Sequence, residues 1–183
     1  MTKLKIITTP DPTLRRKSQR LSVDEIKSAK IKKLVQDIED TLKAGEYGVG
    51  MSAVQVGEPV AVAVIAIRPT PTRPSLKPFN RVYFNAEITD TEGERTPMWE
   101  GCCSVLGQDG KPVYAKVPRY ERISIRYYDE DGALHEDSVD GFLAQVLQHE
   151  IDHQNGILFT DLVNESEIIS FDEYRKLVKK DVV

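Results

Sequence analysis

Ile26, Ile31, Leu34, Val35, Ile38 and Leu42 recur at close to helical spacing between Ser22 and Gly45. Ser22 and Glu25 carry the Ser-x-x-Glu signature of a capping box, in which each side chain satisfies a free backbone N–H. Gly45 supplies a stop, so the pattern predicts a helix over about 23–44. The apolar run from Val60 to Ile67 predicts a buried strand. Further strands are expected over 81–89 and over 120–128, where Ile123, Ile125 and Tyr127 alternate on one face. Asp131-Gly132 reads as a hairpin turn into a strand over 133–139. Asp140 is placed to cap a second helix, which runs to Gln154 and is closed by Asn155-Gly156, residues that tolerate left-handed backbone. A last helix is expected over 165–180. Residues 10–16 read as a turn-rich entry, and Pro69, Pro71, Pro74 and Pro78 mark a stiff loop. Strands come first and a helix is laid on them, with no strand–helix–strand alternation. That order predicts an α+β fold: mixed, mainly antiparallel sheets around a central helix, with an N-terminal and a C-terminal helix.

Composition narrows the class. The 183 residues suit a single domain over 1–183, and 40% hydrophobic with 30% charged residues fits a globular chain. A net charge of −4 gives no overall case for nucleic acid or an anionic membrane. The longest apolar run is far below the ~18 residues that span a bilayer, and residues 1–10 lack the apolar stretch of a secretory signal. Cys102 and Cys103 are adjacent, so a disulfide between them would be strained and would close almost no loop. A reducing compartment, the cytoplasm, is expected.

The chemistry gathers on the second helix. His149-Glu150-Ile151-Asp152-His153 is a His-Glu-x-x-His motif. Residues four apart on a helix differ by about 40° in azimuth, so both imidazoles can meet one metal ion. Glu150 is placed to reach water bound to that ion. Phe142 and Val146 share the histidine face; Leu143, Leu147 and Ile151 lie opposite, which makes the helix central. His135, on an exposed strand, is read as an ordinary surface histidine. A tetrahedral catalytic site needs a third protein ligand and one open position. Cys102, Cys103 and acids downstream of His153 are the candidates.

Three separated motifs resemble those of the peptide deformylases. Gly48-Val49-Gly50-Met51-Ser52-Ala53-Val54-Gln55 is similar to Gly-x-Gly-x-Ala-Ala-x-Gln, Glu100-Gly101-Cys102-Cys103-Ser104 to Glu-Gly-Cys-Leu-Ser, and Gln148-His149-Glu150-Ile151-Asp152-His153 to Gln-His-Glu-x-Asp-His. Weaker echoes are Pro10-Asp11-Pro12-x-Leu14-Arg15 and Val117-Pro118-Arg119, and the similarity covers about residues 5–164. The chain departs from the pattern at Ser52 (alanine), Cys103 (leucine) and Leu106 (proline), and by a short insertion before Tyr114.

The resemblance implies hydrolysis of the formyl group on the N-terminal formyl-methionine of new polypeptides. It implies Cys102, His149 and His153 as ligands of one divalent ion. Fe²⁺ is expected as the native ion, and Zn²⁺, Ni²⁺ or Co²⁺ also suit this donor set. Glu150 is then the general base and acid, and the Gln55 amide and the Cys103 backbone N–H meet the developing oxyanion. Phe142 and Val146 are expected to wall the methionine slot, and Val49, Gly50, Gly101 and Tyr114 to hold the peptide backbone. Asp152, about 60° from His149 around the helix, is expected to pair with Arg119 and steady the ligands. Arg175, Lys176, Lys179 and Lys180 make a basic C-terminal segment, for which the resemblance suggests a transient ribosome contact. Neither a membrane nor sequence-specific nucleic acid is expected as a partner. The rival enzyme is a zinc metallopeptidase, which would need a His or acid ligand downstream; no histidine follows His153.

Overall fold

The structure, a computed structural model, describes residues 3–45, 48–69 and 76–180. Pro71 and Pro74 of the expected stiff loop, and the side chains of Lys179 and Lys180, lie outside the described residues. Five strands form one sheet in the order β1-β2-β3-β4-β5: β1 (Gly50–Ser52), β2 (Val62–Ile67), β3 (Phe79–Leu106), β4 (Pro112–Tyr128) and β5 (Leu134–Asp140). Every pairing in it is antiparallel. A parallel contact appears as the isolated bridge between Gln19 and Val60. The helices are α1 (Val23–Lys27), α2 (Ala29–Ala44), α3 (Gly141–Gln154) and α4 (Phe171–Lys180).

The single helix expected over 23–44 is two. Ser28 is extended (φ −65°, ψ 150°) and serves both ends. Its hydroxyl donates to the Glu25 carbonyl at 2.6 Å and accepts from the Ile31 N–H at 3.3 Å. Ile26 and Ile31 are five residues apart, off the helical rhythm, and both reach the core through this break. The Ser22–Glu25 capping box forms as read. The strand expected over 81–89 is also longer, reaching Leu106 through four register shifts against β4. Its middle is exposed on both faces, so no apolar alternation marks it. The last helix starts at Phe171 rather than at 165. Ser170 and Glu173 supply its cap: the Glu173 N–H donates to the Ser170 hydroxyl, and the Ser170 N–H donates to the Glu173 carboxylate.

Two apolar layers flank the sheet, and α3 belongs to one of them. α2 lays Ile31, Val35, Ile38 and Leu42 on one sheet face with Met51, Val62, Val64 and Phe84. The other face, with Ala63, Ile65, Tyr83, Ile123, Ile125 and Tyr127, packs on Ala144, Val146, Leu147 and Ile151 of α3. Phe142 and Leu143 join that same cluster, so the opposed faces read from the sequence merge into one core. Asp140 precedes α3 but makes no side-chain cap; its carboxylate instead accepts from Arg122 at 3.1 Å. Gln148 fixes the helix against β4, its amide exchanging bonds with the backbone N–H and carbonyl of Tyr120 at 3.0 and 2.8 Å. The chain leaves α3 through Asn155 at the C-cap and Gly156 in the left-handed region (φ 74°), as the Asn-Gly signal requires.

Candidate active site

Strand β3 delivers Cys102 and α3 delivers His149 and His153 to one point. Their ligand atoms all lie within 4.8 Å of one another. The Cys102 sulfur is 3.2 Å from Nε2 of His153, and the two imidazoles meet edge to face at 4.9 Å between centroids. Cys102 and His153 are buried, and His149 is half-buried. Burial and the neighbouring positive groups push His153 well below the usual histidine range, which keeps it neutral with one ring nitrogen's lone pair available. Cys103 and burial push the Cys102 thiol up. The backbone N–H of Ser104 at 3.4 Å and the Gln55 amide at 3.5 Å both donate toward its sulfur. One thiol and two imidazoles converging with no acid among them is a donor set for a borderline divalent ion, and a cation there would reverse the thiol's shift. The residues fit such an ion.

Glu100 explains how His149 is aimed, and the sequence reading gave it no role. Residues two apart on a strand face the same side, so Glu100 points with Cys102 toward α3. Its carboxylate meets His149 Nδ1 at 2.9 Å, which turns Nε2 toward the cluster. Arg119 donates twice to Glu100, at 2.8 and 3.0 Å, and once to Asp152 at 2.6 Å. Burial raises the Glu100 pKa, but His149 and Arg119 outweigh it and hold the group down at about 2. Burial likewise lowers His149, and Glu100 more than compensates, so the net shift is upward. Asp152 therefore stands in a chain of ion pairs that ends on a candidate ligand.

Glu150 is buried beside the cluster, and burial raises its pKa. Its carboxylate packs on Gly50, where a Cβ would come within 2.6 Å of Oε1. Glycine at that position thus makes room for Glu150, besides any approach by a ligand. Gln55 is buried, its oxygen accepting from the Ser52 N–H at 2.8 Å and its nitrogen donating to the Ser104 hydroxyl at 3.2 Å. The Cys103 side chain is half-buried, with its sulfur 3.6 Å from the same nitrogen.

The other expected residues fall in two places. Val49, Phe142 and Val146 belong to the apolar cluster under α3. Gly101 and Tyr114 are paired across β3 and β4, with the Tyr114 ring 2.5 Å from where a Gly101 Cβ would stand. Tyr114 also stacks on Tyr174 of α4 at 4.0 Å. The insertion before Tyr114 reaches the same helix, since Lys111 pairs with Asp172 at 3.0 Å. His135 pairs with Asp129 at 2.7 Å and stacks on Tyr127, as an ordinary surface histidine does. Asp161, an acid downstream of His153, is engaged by Arg15 and by the Leu158 N–H.

Known proteins resemble this chain in sequence and fold. The family described as "Polypeptide deformylase" matches residues 3–168. Peptide deformylase 2 of Nostoc sp. is 35% identical over 97% of this chain and 96% of its own length. The peptide deformylase of Zymomonas mobilis is 38% identical over 88% and 86%. A Met-Ala-Ser-bound class I type b peptide deformylase from Acinetobacter baumannii superposes with a TM-score of 0.81 at 29% identity, covering 88% of this chain and 99% of that one. A plant peptide deformylase, PDF1B, gives 0.76 at 30% identity over 98% and 89%. With a family match over nearly its whole length and relatives of this identity and coverage, the chain belongs to the peptide deformylase family.

Proposed function

We infer that this protein is a metal-dependent amide hydrolase that removes the formyl group from the N-terminal formyl-methionine of newly made polypeptides. The observation that carries the reading is the convergence of Cys102, His149 and His153 within 4.8 Å, with the Glu150 carboxyl buried beside them. A divalent ion held by those three residues would supply the Lewis acidity that brings the pKa of a bound water to about 7. Iron is the ion we assign, on the resemblance to the family; the donor set by itself suits Zn²⁺, Ni²⁺ or Co²⁺ equally. Glu150 takes a proton from the attacking water and returns it to the leaving amine. The Gln55 amide, whose nitrogen lies 3.5 Å from the Cys102 sulfur, and the backbone N–H of Cys103 receive the negative charge that grows on the formyl oxygen. Phe142 and Val146, which share one apolar cluster, form the wall for an unbranched methionine side chain. Val49, Gly50, Gly101 and Tyr114 flank the peptide backbone.

Glu100, Arg119 and Asp152 hold His149 in the orientation that ligation needs. A reducing cytoplasm suits a thiol ligand with a second free thiol beside it. The described residues contain no helix long and apolar enough to cross a membrane. On α4, Arg175 and Lys176 form the part of the basic segment we assign to a transient ribosome contact. Replacing both by glutamate should weaken binding to ribosomes, and unchanged binding would remove that assignment.

An anaerobic assay with formyl-Met-Ala, run beside metal analysis, tests the function. Release of formate by metal-loaded protein, with no cleavage of unformylated peptides, is expected. Cleavage of internal bonds in unformylated peptides would favour the metallopeptidase instead.

A further inference from the structure

Strand β1 presents Gly50 and Ser52 on one face, because residues two apart on a strand point the same way. Met51 between them turns to the core under α2. The Glu150 side chain lies across that face. Its Oε1 rests against Gly50, and its Oε2 lies 2.9 Å from the Ser52 hydroxyl. Ser52 is wholly buried, and its backbone is fixed on both sides. It pairs with Ala63 in the sheet, and its N–H donates to Gln55 at 2.8 Å. The hydroxyl is therefore left to turn only about Cα–Cβ and Cβ–Oγ. It has one proton and two acceptors in reach, the Glu150 carboxylate and the Glu150 backbone carbonyl, both at 2.9 Å. The carbonyl is already fixed within α3, so the bond to the carboxylate is the one that orients a movable group.

Ser52 is also where this chain departs from the alanine of the motif. An alanine there has no hydroxyl to offer the carboxylate. We propose that Ser52 is a positioning residue, whose hydroxyl clamps the Glu150 carboxylate beside the Cys102–His149–His153 cluster, so that turnover in this chain depends on it. Glu150 has three rotatable bonds, and a group that must take a proton from water needs its oxygen held within hydrogen-bond reach. Gly50 leaves the space and Ser52 supplies the donor, so the orientation is set before substrate arrives. This deepens the hydrolase reading and rests on Glu150 as its base.

Two measurements test the clamp. In Ser52→Ala, kcat for formyl-Met-Ala should fall about tenfold while KM holds, and Ser52→Thr, which keeps a hydroxyl, should recover most of the loss. In metal-free protein, Ser52→Ala should lower the thermal midpoint by about 2–4 °C, and by almost nothing when Glu150 is already alanine. An equal shift in both backgrounds would assign the hydroxyl to the backbone carbonyl and overturn the clamp, as would an unchanged kcat in Ser52→Ala. If the wild type does not turn over formyl-Met-Ala, the hydrolase reading falls, and the thermal comparison alone then decides whether Ser52 holds Glu150.

Discussion

Helices α2 and α3 are close in length, sixteen residues against fourteen, yet they bury different chemistry. α2 turns Ile31, Val35, Ile38 and Leu42 inward, and its outer face carries pairs such as Lys33–Asp37 and Lys43–Glu39. It is an amphipathic helix whose place is set by apolar burial. α3 buries Ala144, Val146, Leu147 and Ile151, but also Gln145, Gln148, Glu150 and His153. Each buried polar group costs free energy unless it finds a partner. Gln145 finds the Trp99 carbonyl, Gln148 the backbone of Tyr120 and Glu150 the Ser52 hydroxyl. Nδ1 of His153 is buried with no hydrogen-bond partner among the described residues, while its Nε2 faces the Cys102 sulfur. One helix stabilises the fold; the other spends part of that stability to hold reactive groups in fixed geometry.

Substitutions on the two helices should separate these roles. The largest effect is expected for Glu150→Gln, with kcat falling about 10²–10⁴-fold. Its stability should hold or rise. Burial lifts the Glu150 pKa, so the native state is favoured below the unfolded value and loses stability as pH climbs through the folded one. Glutamine removes that penalty near neutral pH. Steady-state kinetics with thermal unfolding of the metal-free protein would check both halves, and a large drop in stability would break the contrast.

Ile38→Ala on α2 should do the reverse. Ile38 is fully buried, so truncation should cost about 2–4 kcal/mol, with kcat unchanged wherever the protein stays folded. Denaturant unfolding beside the same assay would show it. A fall in kcat with little loss of stability would mean that α2 reaches the active site.

Glu100→Gln sharpens the comparison at the edge of α3. With its pKa near 2 in the fold, ionised Glu100 stabilises above the unfolded value of about 4.5, and the benefit is lost as pH falls toward 2. In metal-free protein the variant should be less stable by on the order of 3 kcal/mol at neutral pH. That gap should close between about pH 5 and pH 2. A gap that does not change with pH would mean that shape, not charge, holds His149. The smallest effect is expected for Lys33→Ala on the exposed face of α2, a change below about 0.5 kcal/mol with no change in activity.

How far the sequence could be read follows the same division. The α3 motif was legible because chemistry imposed its spacing, and the Asn155-Gly156 stop was legible because backbone geometry did. The Ser28 break was written in the five-residue step from Ile26 to Ile31, but a continuous helix absorbs one irregular step. The arm of β3 beyond Thr89 carried no pattern, because a strand exposed on both faces has no apolar side to alternate. Ser170 and Glu173 carry the cap signature that marks the start of α4 at Phe171, six residues after the expected start at 165. At the site, the motifs named the three ligand candidates. The Glu100–Arg119–Asp152 chain depends on a pairing between β3 and β4 that skips through bulges, so its full course required coordinates. The contact between Ser52 and Glu150 joins residues 98 apart and had no local signal.

Metal content of anaerobically purified wild type, Cys102→Ala and Cys103→Ala tests the central claim most directly. Wild type and Cys103→Ala should each hold about one equivalent of divalent ion, and Cys102→Ala should hold almost none. Retention by Cys102→Ala with loss from Cys103→Ala would contradict it.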